Sequence, residues 1–131
     1  MSRSGYCDDL DNWDLIRWRG QVASAIRGAR GQKLLRELLA ALDAMPEKAL
    51  VTSEYETEQG EVCTLGALGK SRGIEMKGFD PTDYDGWANT FGVAAQLVQE
   101  ITYLNDEGWY NETPEGRWTR MRKWVASQVR A

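Results

Sequence analysis

The sequence predicts a mainly α protein: a compact bundle of five or six helices with one short β-hairpin or extended excursion. Three observations support this fold class. Apolar residues recur every three or four positions over most of the chain, and capping residues together with Gly and Pro divide it into segments of helix length. In the middle of the chain, residues 49–63 interrupt the helical period. With 131 residues and six tryptophans, the chain can bury one core. We therefore expect a single globular domain over residues 1–131, with an irregular N-terminal arm at residues 1–10.

The first two predicted helices are separated by a short link that contains glycine. Asp11 can cap the first helix, because its carboxylate accepts hydrogen bonds from the free amides of the first turn. Residues 28–31 end this helix, the second starts at once, and Pro46 ends the second. The buried stripe predicted for the first helix is Leu15, Trp18, Val22 and Ile26, and that for the second is Leu34, Leu35, Leu38, Leu39 and Leu42.

The middle of the chain is predicted to hold the β excursion and two short helices. Residues 49–63 fit a small hairpin or an extended loop, because β-prone residues flank Glu58-Gln59-Gly60. Thr64 can cap a short helix that runs to about Ser71 and is ended by Gly73. Asp80-Pro81 predicts the next helix start, since proline suits the first helical position.

Two further helices complete the predicted bundle. After Gly92, one helix has the stripe Val93, Leu97, Ile101 and Leu104, and "NDEG" at residues 105–108 ends it. Thr113-Pro114 begins the last helix, for the same reason as Asp80-Pro81. Its inner stripe is predicted to be Trp118, Met121, Val125 and Val129.

The segment "GALGKS", residues 66–71, is close in wording to a phosphate-binding loop. That motif, G-x-x-x-x-G-K-[ST], requires a glycine at position 64, where Thr64 stands. It also requires a buried strand before the loop and a long helix beginning at the lysine. We therefore interpret Gly66 and Gly69 as one face of a helix that packs closely against a neighbour.

The composition excludes several classes of function. The chain has no histidine, which removes the commonest general base and every Ser-His or Cys-His nucleophile. Cys7 and Cys63 lack the spacing of a zinc site or a disulfide framework. No signal peptide and no apolar run of about 18 residues is present, so we expect a cytoplasmic protein that does not enter a membrane. We expect a protein that is not an enzyme and needs neither cofactor nor metal.

The charged residues allow two other functions, one enzymatic and one not. A magnesium-dependent nucleotide hydrolase could use acids gathered from facing helices, although these acids lack the usual spacing of three or four positions. Nucleic-acid binding could use basic faces of the first two helices or of the last. The acids are Glu37, Glu100, Asp106 and Glu107, and the basic residues are Arg17, Arg19, Arg27, Arg30, Lys33 and Arg36 in one set and Arg117, Arg120, Arg122, Lys123 and Arg130 in the other.

The charge pattern also predicts an acidic surface in the middle of the chain. Residues 46–112 carry four Lys or Arg against thirteen Asp or Glu, in segments that are predicted to be loops or helix starts. A surface of this kind suits a basic partner, including a protein that itself grips nucleic acid. Trp109 and Tyr110 could anchor such an interface or cap the core. The carboxylates predicted to bind the partner are Glu54, Glu56, Glu58, Glu61, Asp83 and Asp85.

Five stretches of the chain have distinctive wording: "WDLIRWRG", "SAIRGARGQ", "LLAALDAMPEKAL", "VCTLGALGKSRGI" and "TPEGRWTRMRKWV". They resemble a family of small uncharacterised proteins encoded in bacteriophages and prophages of Gram-negative bacteria. The resemblance implies a phage accessory protein, a class that includes inhibitors of host defences such as anti-CRISPR proteins. Our leading hypothesis is therefore a non-enzymatic phage protein that binds and inhibits a host protein or ribonucleoprotein complex through its acidic surface. The alternatives are a nucleic-acid-binding accessory protein and, third, the metal-dependent hydrolase.

Overall fold

A computed structural model of the protein describes residues 12–77, 80, 82–108 and 111–130. The predicted mainly α class is confirmed by the six helices in these residues. None of the described helices combines the length with the apolar character that a membrane span requires. The helices are α1 (Asn12–Arg27), α2 (Ala29–Ala44), α3 (Thr64–Ser71), α4 (Tyr84–Phe91), α5 (Ala95–Asp106) and α6 (Pro114–Gln128).

Helices α2 and α5 organise the core. α2 packs against α3 and α6, while α5 packs against α1, α3 and α4. The predicted stripe of α2 is confirmed: Leu35, Leu38 and Leu42 are fully buried, and Leu34 is nearly so. On α6, Met121 and Val125 are fully buried, with Trp118 and Val129 packed against the same cluster.

The predicted stripe of α1 is only partly correct. Val22 is buried, and Trp18 and Ile26 are half-buried, but Leu15 is exposed. Among the described residues of α1, Trp18 is the first that is not exposed, so the first turns of the helix do not reach the core. The predicted cap, Asp11, lies outside the described residues.

The predicted hairpin between residues 49 and 63 is not formed. Within the described residues there are no strands, only isolated bridges that join Glu56 to Val62 and to Lys77. A turn at Gly60, where φ is +85°, closes the loop through a hydrogen bond from the Thr57 amide to the Glu61 carbonyl at 2.8 Å. The Cys63 amide still donates to the Tyr55 carbonyl at 3.2 Å, and α3 begins at the next residue, Thr64. We call residues 54–62 the α3-proximal loop.

Two predicted helix caps were displaced by one to three residues. α3 is capped by Cys63, whose sulfur accepts from the Gly66 amide at 3.4 Å, and not by Thr64. α4 begins at Tyr84 with Asp83 as its cap, and Asp80 instead accepts from the Thr82 amide at 2.8 Å. The predicted boundary at residues 105–108 is confirmed, since α5 ends at Asp106.

The start of α6 was predicted correctly. Thr113 accepts from the Gly116 amide at 2.9 Å, and Pro114 occupies the first helical position. α4 ends at Phe91, where Gly92 follows in a left-handed conformation with φ of +75°. These boundaries depend on residues within four positions of one another, which is the range over which local sequence decides structure.

The interpretation of "GALGKS" as a close-packing helix is confirmed. Gly66 and Gly69 are both buried. A Cβ atom on Gly66 would overlap the carbonyl oxygen of Tyr55, and one on Gly69 would overlap the sulfur of Met76. The glycines of α3 therefore let the α3-proximal loop and the Met76 segment approach the helix axis.

Candidate functional site

Six carboxylates predicted to bind a partner lie in two neighbouring segments. Four are in the α3-proximal loop, Asp83 is the cap of α4, and Asp85 is in the first turn of α4. The two segments meet where the rings of Tyr55 and Trp87 make an edge contact with centroids 5.1 Å apart. Five side chains are exposed, and Glu56 is half-buried. We call these residues the acidic surface: Glu54, Glu56, Glu58, Glu61, Asp83 and Asp85.

The acidic surface is not neutralised by the protein itself. Within the described part of the chain, none of its carboxylates forms an ion pair. Asp83 accepts from the Gly86 amide at 3.2 Å as the cap of α4. Lys70 is close to the loop, but its ammonium donates to the Gly60 carbonyl at 3.1 Å. These side chains are therefore free to meet a partner of opposite charge.

Four carboxylates elsewhere behave differently, because each is held by arginine. Glu100, whose side chain is 4% exposed, meets Arg19 at 2.8 Å. Glu112, whose side chain is 7% exposed, meets Arg120 at 2.7 Å and Arg117 at 3.4 Å. The other two pairs are Glu37 with Arg72 and Asp43 with Arg122, both at 3.0 Å. The contrast separates carboxylates that pair with arginine within the molecule from those of the acidic surface.

The arginines of α6 hold the end of α5 in place. Arg117 donates to the carbonyls of Asn105 and Leu50, and Arg120 donates to that of Leu104. The hydrogen bond from Arg120 keeps the pKa of Glu112 below its ordinary value, against the opposing effect of burial. The predicted basic face of α6 is therefore largely used inside the molecule.

Two of the six basic residues predicted to bind nucleic acid on α1 and α2 also make contacts within the molecule. Arg19 is paired with Glu100, and Arg36 donates to the carbonyl of Arg130 at 3.0 Å. The remaining four side chains are exposed and have no ion pair with any described residue: Arg17, Arg27, Arg30 and Lys33.

The four carboxylates of the hydrolase alternative do not form a metal site. Glu37 and Glu100 are paired with arginines, and Asp106 accepts from the Ser53 amide at 3.3 Å. Glu107 is exposed at the end of α5. Among the residues that the structure describes, no three Cys, Asp or Glu side chains lie close enough to hold a metal ion.

Two features of the site were not predicted from the sequence. One is the contact between Tyr55 and Trp87, which joins the two acidic segments. The other is a cleft of about 520 Å³ between the end of α2, the α3-proximal loop and α3, which we call the α2–α3 cleft. The only feature of the sequence that indicates this cleft is a run of small residues at the end of α2. The predicted anchors Trp109 and Tyr110 lie outside the described residues.

Comparison with known proteins adds no assignment to this geometry. No protein-family model, curated protein or solved structure matches the chain. The function must therefore be argued from the charges, contacts and exposure of the side chains themselves.

Proposed function

We propose that this protein is a non-enzymatic bacteriophage accessory protein that binds a basic host macromolecular complex through its acidic surface. One observation carries the proposal: the carboxylates of the acidic surface are unpaired and mostly exposed, whereas four others are paired with arginine. The phage context rests on the sequence resemblance described above. Within that context, a bacterial defence complex that grips nucleic acid is the partner class with the required basic surface, and occupying that surface would inhibit it.

The physical basis of this binding is electrostatic complementarity. Clustered charges of one sign speed the encounter with an oppositely charged surface and reject partners of like charge. The contact between Tyr55 and Trp87 holds the two acidic segments together, so the charges belong to one preformed surface. A preformed surface loses less conformational entropy on binding than a flexible loop does.

The experiment compares two charge-reversal variants that change the net charge equally. Glu54→Lys/Glu58→Lys alters the acidic surface, and Glu107→Lys/Glu115→Lys alters exposed acids outside it. Each variant is used as bait in a bacterial lysate, and the retained proteins are quantified by mass spectrometry. We expect the wild type and the second variant to retain the same complex, and the first variant to lose it. Equal retention by the first variant would refute the proposal.

A second candidate is nucleic-acid binding through the exposed cations Arg17, Arg27, Arg30 and Lys33. The observation that favours it is their lack of ion pairs with described residues. This function predicts a gel shift with DNA or RNA that weakens steeply as salt rises, because phosphate contacts release counterions. No shift at low salt would exclude it.

A further inference from the structure

The first turns of α1 expose apolar side chains that the protein's own core cannot take up. Trp13 is 76% exposed and Ile16 is 63% exposed, and with Leu15 they are the exposed large apolar residues of the described chain. Trp13 precedes the buried Val22 by nine residues, which is two and a half helical turns at 3.6 residues per turn. The indole therefore lies on the side of α1 opposite its buried face.

A cation shares the exposed side of α1 with these residues. Arg17 follows Trp13 by four positions, so both project from the same helical face. Arg17 is exposed and forms no ion pair with a described residue. The start of α1 thus presents a large aromatic side chain beside a free positive charge.

The α2–α3 cleft has the complementary properties. Its walls include the apolar side chains of Met45, Val51, Val62 and Ala67, and its volume of about 520 Å³ falls within the range of pockets that bury a bulky group. No residue of α1 lines it. It is therefore open to an aromatic side chain from outside.

The rim of the α2–α3 cleft is acidic. Glu47 and Glu61 line it, both are exposed, and neither forms an ion pair within the described chain. The lining polar groups Lys70 and Ser71 are occupied, because they donate to the carbonyls of Gly60 and Leu68. An apolar anchor beside a cation therefore matches the apolar walls and the acidic rim of the cleft.

We infer that the occupant of the α2–α3 cleft is a second copy of this chain. Trp13 of each copy inserts into the cleft of the other, and Arg17 meets the carboxylates Glu47 and Glu61 at the rim. The two contacts are reciprocal, so the assembly is a closed dimer with twofold symmetry. Because Glu61 also belongs to the acidic surface, the dimer and the proposed host complex compete for that residue.

The first test measures the dimer by sedimentation equilibrium from low micromolar to near-millimolar concentration. Trp13→Ala removes the anchor from an exposed position, and Ala44→Leu fills the cleft from an exposed position at the end of α2. Ala40→Leu is the matched control, because Ala40 is exposed on the same helix but does not line the cleft. We expect Trp13→Ala and Ala44→Leu each to raise the dimer Kd at least about tenfold, as loss of a central aromatic anchor does, while Ala40→Leu leaves it unchanged.

The second test exchanges the charges. Glu47→Lys/Glu61→Lys should weaken the dimer, and adding Arg17→Glu to the same chain should restore it, because each copy contributes both sides of the contact. A wild-type chain that stays monomeric throughout, a dimer insensitive to Ala44→Leu, or assemblies that grow beyond two copies would each overturn the inference. The capture experiment remains separate, because neither Trp13 nor Ala44 belongs to the acidic surface.

Discussion

A Gly66→Ala variant should be markedly less stable than the wild type, although alanine is the better helix former. Inside a helix, alanine is favoured over glycine by about 1 kcal/mol. Here the added Cβ would overlap the carbonyl oxygen of Tyr55 and lie 3.1 Å from the Cβ of Val62. Both neighbouring residues are buried, and the Tyr55 oxygen is a backbone atom, so the clash cannot be relieved by rotating one flexible side chain.

The size of the effect follows from these opposing contributions. Inserting an extra carbon into a packed interior costs about 1–3 kcal/mol, and more where backbone must move. Because backbone must move here, we take the upper end of that cost, about 3 kcal/mol. The gain in helix propensity of about 1 kcal/mol then leaves a net loss of about 2 kcal/mol in the free energy of unfolding. For a chain of this length, that loss lowers Tm by about 6–10 °C.

Two other glycines provide matched comparisons for the same substitution. In α1, a Cβ on Gly20 would meet nothing within 4 Å, so Gly20→Ala should stabilise the protein by about 0.5–1 kcal/mol. Gly69→Ala should fall between the two, because its Cβ would overlap the movable sulfur of Met76. Thermal and urea unfolding followed by circular dichroism gives the order. If Gly66→Ala proved as stable as Gly20→Ala, the close approach of loop and helix would be wrong.

Three further predictions concern the polar contacts. Glu112→Gln should cost about 2 kcal/mol at neutral pH, since it leaves buried arginine donors without their charge partner. Folding lowers the pKa of Glu112, so its carboxylate stabilises the protein fully at a pH above its ordinary pKa of 4.5. This stabilisation is lost as the pH falls through the lower pKa of the folded state. The difference between Glu112→Gln and the wild type in urea unfolding should therefore shrink at low pH. Asn105→Ala should lower stability by about 2–3 kcal/mol, because the amide and hydroxyl of the buried Thr64 lose their acceptor at 3.0 and 2.7 Å. Asp43→Asn should leave Tm unchanged, because its ion pair with Arg122 is exposed; a clear fall in Tm would contradict this.

Sequence reasoning succeeded where neighbours along the chain decide the structure. The stripe of α2 and the cap at Thr113 depend on spacings of three or four residues, and both are present. It failed at Thr64 because the hydroxyl of that residue donates to Asn105, which lies 41 positions away. The amide of Gly66 then takes the sulfur of Cys63 as its acceptor. A prediction made from neighbouring residues cannot take into account a residue of another helix that competes for the capping side chain.

The same limit applies to the charged residues. The exposure of most of the acidic surface was predictable, because its residues lie in a loop and a helix start. The internal use of Arg117 and Arg120 was not, since on the sequence they resemble a solvated helix face. Likewise, the helical spacing of apolar residues predicted that Leu15 is buried, but burial also requires another element to cover that turn of α1.

The division of carboxylates into two sets makes stability and binding separable. Changing Glu100 or Glu112 removes a nearly buried carboxylate that pairs with arginine and should weaken the fold. Changing Glu54 or Glu58 removes an exposed charge without an ion pair to any described residue, so the fold should change by less than about 0.5 kcal/mol. Loss of capture by a surface variant with an unchanged unfolding curve would therefore report on the interface alone. A chain whose acidic residues all supported its core could not give that separation, and the presence of both sets is why we propose the acidic surface as the binding surface.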